Sequence, residues 1–249
     1  MPDTSSLFPT LFTPQTIGGV TIANRILSTG HDTSMAHEGH VTDAMIAYHE
    51  ARARGGAGLI VSQVVGVHET ARYTSHVLMG TDDKCLPGFT RLAQTVHAHG
   101  TRIFAQLFHP GREIMEVADG TAPVAYSASA TPSDRFHVIP RSMPVRMIKE
   151  VVDGYAAAAA RMQRAGMDGV EIVASHGYLP AQFLSPQVNV RDDAYGGSAE
   201  NRLRFLTEVL EAVRAATGGG FVIGLRISGD EHIDGGMEDA DSLEVIRTL

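Results

Sequence analysis

Apolar and polar positions along the chain follow two periods in alternation. Five short runs are apolar almost throughout: RILST (25–29), GLIVSQVV (58–65), RIFAQL (102–107), GVEIVA (169–174) and FVIGLRIS (221–228). They predict strands, and the last four predict strands buried on both faces. Between them the apolar spacing turns helical. A helix is predicted over 42–54, with Thr42 or Asp43 as its cap and Gly55-Gly56 as its end. Another is predicted over 89–99, stopped by Gly100. Pro144 suits the first turn of a third helix, in which Ile148, Val151, Val152, Tyr155, Ala158, Ala159 and Met162 recur until Gly166 ends it. Leu203, Leu206, Val209, Leu210 and Val213 mark a fourth over 199–216, and a fifth begins at 239. The stretches 108–143 and 175–198 have no clear period.

A strand followed by a helix, five times over, implies an α/β fold with a parallel sheet. A doubly wound sheet and a TIM barrel both accommodate this order. No G-x-G-x-x-G opens the first helix, which weakens the dinucleotide-binding version. A barrel takes eight units and about 250 residues or more, and here five units occupy the 249 residues. The expectation is one domain over 1–249, the N-terminal part of a TIM (β/α)8 barrel with about five of its eight units, stopping before strands six to eight.

Composition narrows the function without naming it. The chain is 43% hydrophobic and 19% charged, with a formal net charge of −8. No basic stripe is present, so nucleic acid is not expected as a partner. No apolar run approaches the ~20 residues of a membrane span, and the first residues show no basic segment followed by an apolar one. The expectation is a soluble, cytoplasmic protein. A single cysteine, Cys85, excludes an internal disulfide and a cysteine-rich metal site. His31, His37 and His40 are close in sequence, but loop histidines are usually solvated, and no metal ligand set is assigned.

In a barrel, chemistry sits where strands end and loops begin. That criterion selects Gly30, His31 and Asp32 after the first strand, Gln63 and Val64 in the second, Gln106 and His109 around the end of the third, His176 and Tyr178 after the fourth, and Arg226 in the fifth. The set holds no close carboxylate pair, no nucleophile elbow and no lysine suited to a Schiff base, which argues against glycosidase, hydrolase and aldolase chemistry. Gln106 can donate and accept towards an amide-like edge. Arg226 could stabilise an anion formed during turnover, or could be half of a structural salt bridge. The segment 175–198 far exceeds a plain connection of about 2–6 residues and gathers polar groups.

Several long motifs make the resemblance specific. DGVEI (168–172), HGYLPAQFLSP (176–186), N-x-R (189–191) and YGGSAENRLRF (195–205) resemble the old yellow enzyme family of FMN oxidoreductases, as do LFTP…IGGVTIANRI (11–26), GGAGLIVSQ (55–63), QLFHPGR (106–112) and VIGLRIS (222–228). The flavour is that of the branch with 2,4-dienoyl-CoA reductase, trimethylamine dehydrogenase and N-methylproline demethylase. The resemblance implies FMN, reduced by NAD(P)H, passing a hydride to an activated alkene such as an enone or an enoyl or dienoyl thioester. The alternatives are oxidative demethylation of an N-methylated amine at the same flavin, and a non-catalytic truncated chain.

By the same resemblance Gln106 meets the flavin pyrimidine edge and Arg226 lies near its N1 and C2=O. Gly30, His31 and Val64 contact the ring, His176 anchors the substrate, Tyr178 delivers the proton, and Arg191 contacts substrate. No cysteine stands in the turn after the first strand, so the FMN is expected to be non-covalent. Val173 stands where simple enone reductases commonly carry a second histidine. The FMN phosphate site of the family comes from its later strands, beyond Leu249. A 4Fe-4S cluster and FAD are expected only in a longer chain, and a homo-oligomer is left open for the full-length protein.

Overall fold

The computed structural model describes residues 7–115 and 123–249. In chain order it has β1 (Gln15–Ile17), β2 (Val20–Ile22), β3 (Leu27–Ser28), α1 (Asp43–Arg54), β4 (Leu59–Gly66), β5 (Leu78–Met79), α2 (Leu86–His97), β6 (Arg102–Phe108), β7 (Tyr126–Ser127), β8 (Arg141–Ser142), α3 (Val145–Arg164), β9 (Gly169–Ala174), α4 (Leu179–Leu184), α5 (Ala199–Thr217), β10 (Val222–Ile227) and α6 (Asp239–Thr248).

The main sheet is parallel, in the order β10-β9-β6-β4-β3, with β5 pairing the end of β4. Neighbouring strands in space are successive units in sequence, the order of a barrel wall rather than of a sheet wound in two directions. The predicted helices form where caps permit. The Thr42 side chain accepts from Met45 N, Ser198 accepts from Asn201 N, and a Glu238–Asp241 capping box opens α6. Several boundaries differ from expectation, and the first strand shortens to Leu27–Ser28. Helix α2 starts at Leu86, because Pro87 suits a first turn, and Pro144 caps α3 from outside it.

Several short elements were not expected, the two-residue strands β5, β7 and β8 among them. The Gly18-Gly19 pair, with both φ positive, turns β1 back onto β2 as an antiparallel hairpin. The long segment after β9 contains α4, whose six residues are too few to show a period.

One face of the sheet is covered by helices. Ile103, Ala105, Leu107, Val170 and Ile172 pack there against Leu92, Val151, Tyr155 and Phe205, all buried. The other face is built in layers. At the N-terminal ends of the strands, Leu59, Val61, Phe104 and Val222 pack with Ile22 of the hairpin into an apolar floor. Gly169 leaves room for it: a Cβ there would stand 2.9 Å from the Phe104 ring and 2.8 Å from the Val222 carbonyl oxygen. Each large side chain buried in this floor contributes roughly 1.5–3 kcal/mol. At the C-terminal ends Val64, Phe108, Val173 and Tyr73 form a second apolar layer, with Tyr178 packed on it. A polar layer lies between the two.

Candidate functional site

The polar layer follows from strand register. Gln106 on β6 and Glu171 on β9 are direct cross-strand partners, and Glu171 in turn partners Gly224 on β10. Arg226 is two residues beyond Gly224 and so shares its face. Gln106 Nε2 donates to Glu171 Oε1 at 2.6 Å, and Arg226 Nε donates to the same oxygen at 2.9 Å. The salt bridge weighed for Arg226 from sequence is therefore present. Its carboxylate, Glu171, was not singled out, because one acid in an apolar strand carries no period and its register with Gln106 appears only in the folded sheet.

Gly30 closes against this layer. A Cβ on it would stand 2.7 Å from Gln106 Nε2 and 2.8 Å from the Ser62 carbonyl oxygen, so only glycine fits so near the amide. Val64 is the register partner of Gln106 on β4 and is buried. Four of the expected cofactor residues, Gly30, Val64, Gln106 and Arg226, thus converge. His31, the fifth, is exposed beside them and pairs through Nε2 with the Tyr48 hydroxyl at 2.5 Å.

Above the layer stand His176 and Tyr178. His176 and Gly177 both have positive φ, 60° and 71°, and this reversal at the end of β9 makes Tyr178 the cap of α4. The Tyr178 ring meets Phe108 edge-on at 5.1 Å and lies beside His176 at 5.9 Å. Burial raises the Tyr178 pKa, so the phenol keeps its proton. Burial lowers that of His176, aided by the positive charges of Arg226 and Arg135, so the imidazole is neutral at pH 7. Its Nδ1 lies 2.7 Å from Ser175 Oγ.

Tyr178 borders a cavity of about 330 Å³ also lined by Asp32, Tyr73, Glu113 and Arg135. The Tyr73 hydroxyl donates to Asp32. Glu113 is buried, which raises its pKa against the opposing pull of Ser133 and Arg112. Glu113 was also missed in the sequence, although it directly follows QLFHPGR.

Most polar residues of the long loop hold the loop itself. Gln182 is buried: its Oε1 accepts from Arg112 N at 3.1 Å, and its Nε2 donates to the Pro110 carbonyl at 2.9 Å and to the Gly177 carbonyl at 2.5 Å. It ties the loop after β6 to the loop after β9. Asn189 donates to the carbonyls of Phe183 and Tyr195, both at 2.7 Å. Arg191, expected at the substrate, spends its guanidinium on Asp193 and on the carbonyls of Ala128 and Met143. It borders a separate pocket with Ser129, Pro144 and Val190, and none of its bonds reaches the Gln106–Arg226 layer.

With this geometry in view, the likenesses to known proteins fall into place. The profile of the NADH:flavin oxidoreductase / NADH oxidase family matches residues 10–249, and the chain belongs to that family. It is 38% identical over 245 residues to an NADH oxidase of Thermoanaerobacter brockii, covering 97% of this chain and 37% of that one. It is 41% identical over 238 residues to the N,N-dimethylglycine/sarcosine dehydrogenase of Chromohalobacter salexigens, covering 93% and 34%. The structure superposes on 2-naphthoyl-CoA reductase, solved with 2-naphthoyl-CoA, at a TM-score of 0.91 and 30% identity, covering 97% and 38%. The chain thus spans little more than a third of the length of each. The half-barrel parallel sheet is that of old yellow enzyme-type TIM barrels.

Proposed function

We propose that this chain carries the flavin and substrate face of an FMN-dependent oxidoreductase that takes electrons from NAD(P)H and reduces an activated alkene such as an enone or an enoyl thioester. The observation that carries the reading is the convergence of Gly30, Val64, Gln106 and Arg226 beneath Tyr178 at the C-terminal ends of parallel strands. These residues fit the flavin. Gly30 leaves a flat approach beside an amide, Gln106 Oε1 has no protein donor among the described residues, and Arg226 offers a fixed cation beside that amide.

When bound without a covalent link, FMN would supply hydride transfer. The chain's own residues do the rest. Gln106 and Arg226 hold the pyrimidine edge, Gly30, Val64 and His31 flank the ring, His176 anchors a polar atom of the substrate, and Tyr178 gives up the proton from its hydroxyl. Arg191, bonded as it is, orders the loop. The five parallel units are read as part of an eight-unit barrel, a reading supported by the superposition on 2-naphthoyl-CoA reductase at a TM-score of 0.91 over 38% of that chain.

A specific observation favours a second substrate class. Asp32 and Glu113 put two carboxyl groups against one guanidinium, Arg135, on the cavity beside Tyr178, a setting that admits a cationic amine, and the dimethylglycine/sarcosine dehydrogenase is the relative with 41% identity. The test is an absorption scan for flavin in the purified holoenzyme. Anaerobic mixing of the reduced enzyme with an enone and of the oxidised enzyme with an N-methylated amine then follows. Reoxidation by the enone supports the first reading, bleaching by the amine supports the second, and a colourless protein removes both.

A further inference from the structure

Glu171 is the group in the polar layer that the functional reading leaves unused. Its carboxylate stands between the two side chains assigned to the flavin edge. Oε1 accepts from Gln106 Nε2 at 2.6 Å and from Arg226 Nε at 2.9 Å, and Oε2 faces Arg226 Nη2 at 3.5 Å. One oxygen shared by an amide and a guanidinium fixes the rotamers of both. The Glu171 side chain is only 14% exposed, so water screens its charge weakly. We infer that Glu171 is a positioning and charge-balancing residue of the flavin site. It holds Gln106 and Arg226 in the orientation that meets FMN, and it lowers the midpoint potential of the bound flavin by offsetting the charge of Arg226.

The inference rests on the FMN reading above. Its physical basis is the difference between the two redox states. An unopposed guanidinium beside the pyrimidine edge favours the reduced flavin, which carries negative charge, over the neutral oxidised one. A carboxylate in direct contact with that guanidinium cancels part of this preference. A salt bridge that only stapled β9 to β10 would leave the potential alone.

The experiment compares FMN-loaded holoenzyme with two variants, by potentiometric titration and by fluorescence titration of the apoprotein with FMN. Glu171→Gln keeps the length and the accepting oxygen but removes the charge. Its potential should shift upward, equivalent to an about tenfold gain in preference for reduced over oxidised FMN. Glu171→Asp keeps the charge but withdraws it by one methylene from both partners. Its FMN affinity should fall about tenfold. An unchanged or lower potential in Glu171→Gln overturns the charge-balancing role, and wild-type affinity in Glu171→Asp overturns the positioning role. Should Glu171→Gln fail to load FMN, the Glu171→Asp affinity decides alone. Failure of the wild-type holoenzyme to contain FMN would sink the flavin reading instead.

Discussion

In the proposed reading Tyr178 and Arg226 do different jobs, and single substitutions separate them. The loop presents the Tyr178 phenol above the polar layer, and burial raises its pKa, which suits the proposed acid. Tyr178→Phe preserves the packing on Phe108 and removes the proton. Stopped-flow traces should show substrate reduction slowed by ~10²–10⁴-fold, with flavin reduction by NAD(P)H near normal. An unchanged oxidative half-reaction would point to amine oxidation, which needs no such acid. Arg226→Met removes the cation and leaves Glu171 facing the flavin edge. The midpoint potential should drop, opposite to the change expected for Glu171→Gln; a potential equal to or above wild type would make Arg226 structural. Position at a strand end made Tyr178, His176, Gln106 and Arg226 legible from sequence. Glu171 was not, because its meaning lies in cross-strand register, which a single chain of letters does not display.

Elements were legible in proportion to the length of their pattern. Strands β4, β6, β9 and β10 announced themselves by near-continuous apolar runs, and α3 and α5 by several helical repeats. The β1–β2 hairpin has three residues per strand, too few for a period, although its Gly-Gly turn was a readable signal. Helix α4 needed its tertiary contacts to be seen at all. Those contacts pass through Gln182, against which a Cβ on Gly111 would stand 2.0 Å from Oε1. Gln182→Met keeps the volume and removes three hydrogen bonds. Stability should fall by ~1–3 kcal/mol as the half-buried amide of Arg112 and the two carbonyls lose their partner. Hydrogen exchange of the Arg112 amide should accelerate; protection equal to wild type would show that the two loops are joined some other way.

At the scale of the whole molecule, two buried histidines among the described residues couple stability to pH. His49 lies on the inner face of α1, with both ring nitrogens lacking a partner among the described residues, and burial lowers its pKa from 6.5 to about 4. His109 is lowered to about 3, again mainly by burial. Its Nδ1 accepts from Gly111 N at 3.0 Å, so its proton sits on Nε2 and points to Thr70 Oγ1. Both groups have depressed folded pKa values. Above pH 6.5 each is neutral, folded or unfolded, and linkage takes nothing from stability. Below it the unfolded chain binds protons that the folded one refuses, so stability falls from about pH 6.5 towards pH 3, the His49 part ending near pH 4. His49→Leu should remove one of these two contributions and relieve an unsatisfied buried group worth ~1–3 kcal/mol. Thermal melts from pH 7.5 to 4.5 should show a higher midpoint and a shallower acid decline; a parallel, unshifted curve would mean that His49 is satisfied by water.

The hairpin also sets a schedule. Val20 and Ile22 are made well before Val222, yet the floor they complete includes it, and a Cβ added to Gly18 would stand 3.2 Å from the Val222 side chain. About 200 residues separate the two, so at ~5–20 residues per second of synthesis the hairpin waits roughly 10–40 s for its last partner. During that wait its apolar face is open to association with another nascent copy. Slowing translation between codons 30 and 220 should therefore raise the insoluble fraction, while the same slowing after β10 has emerged should leave it unchanged.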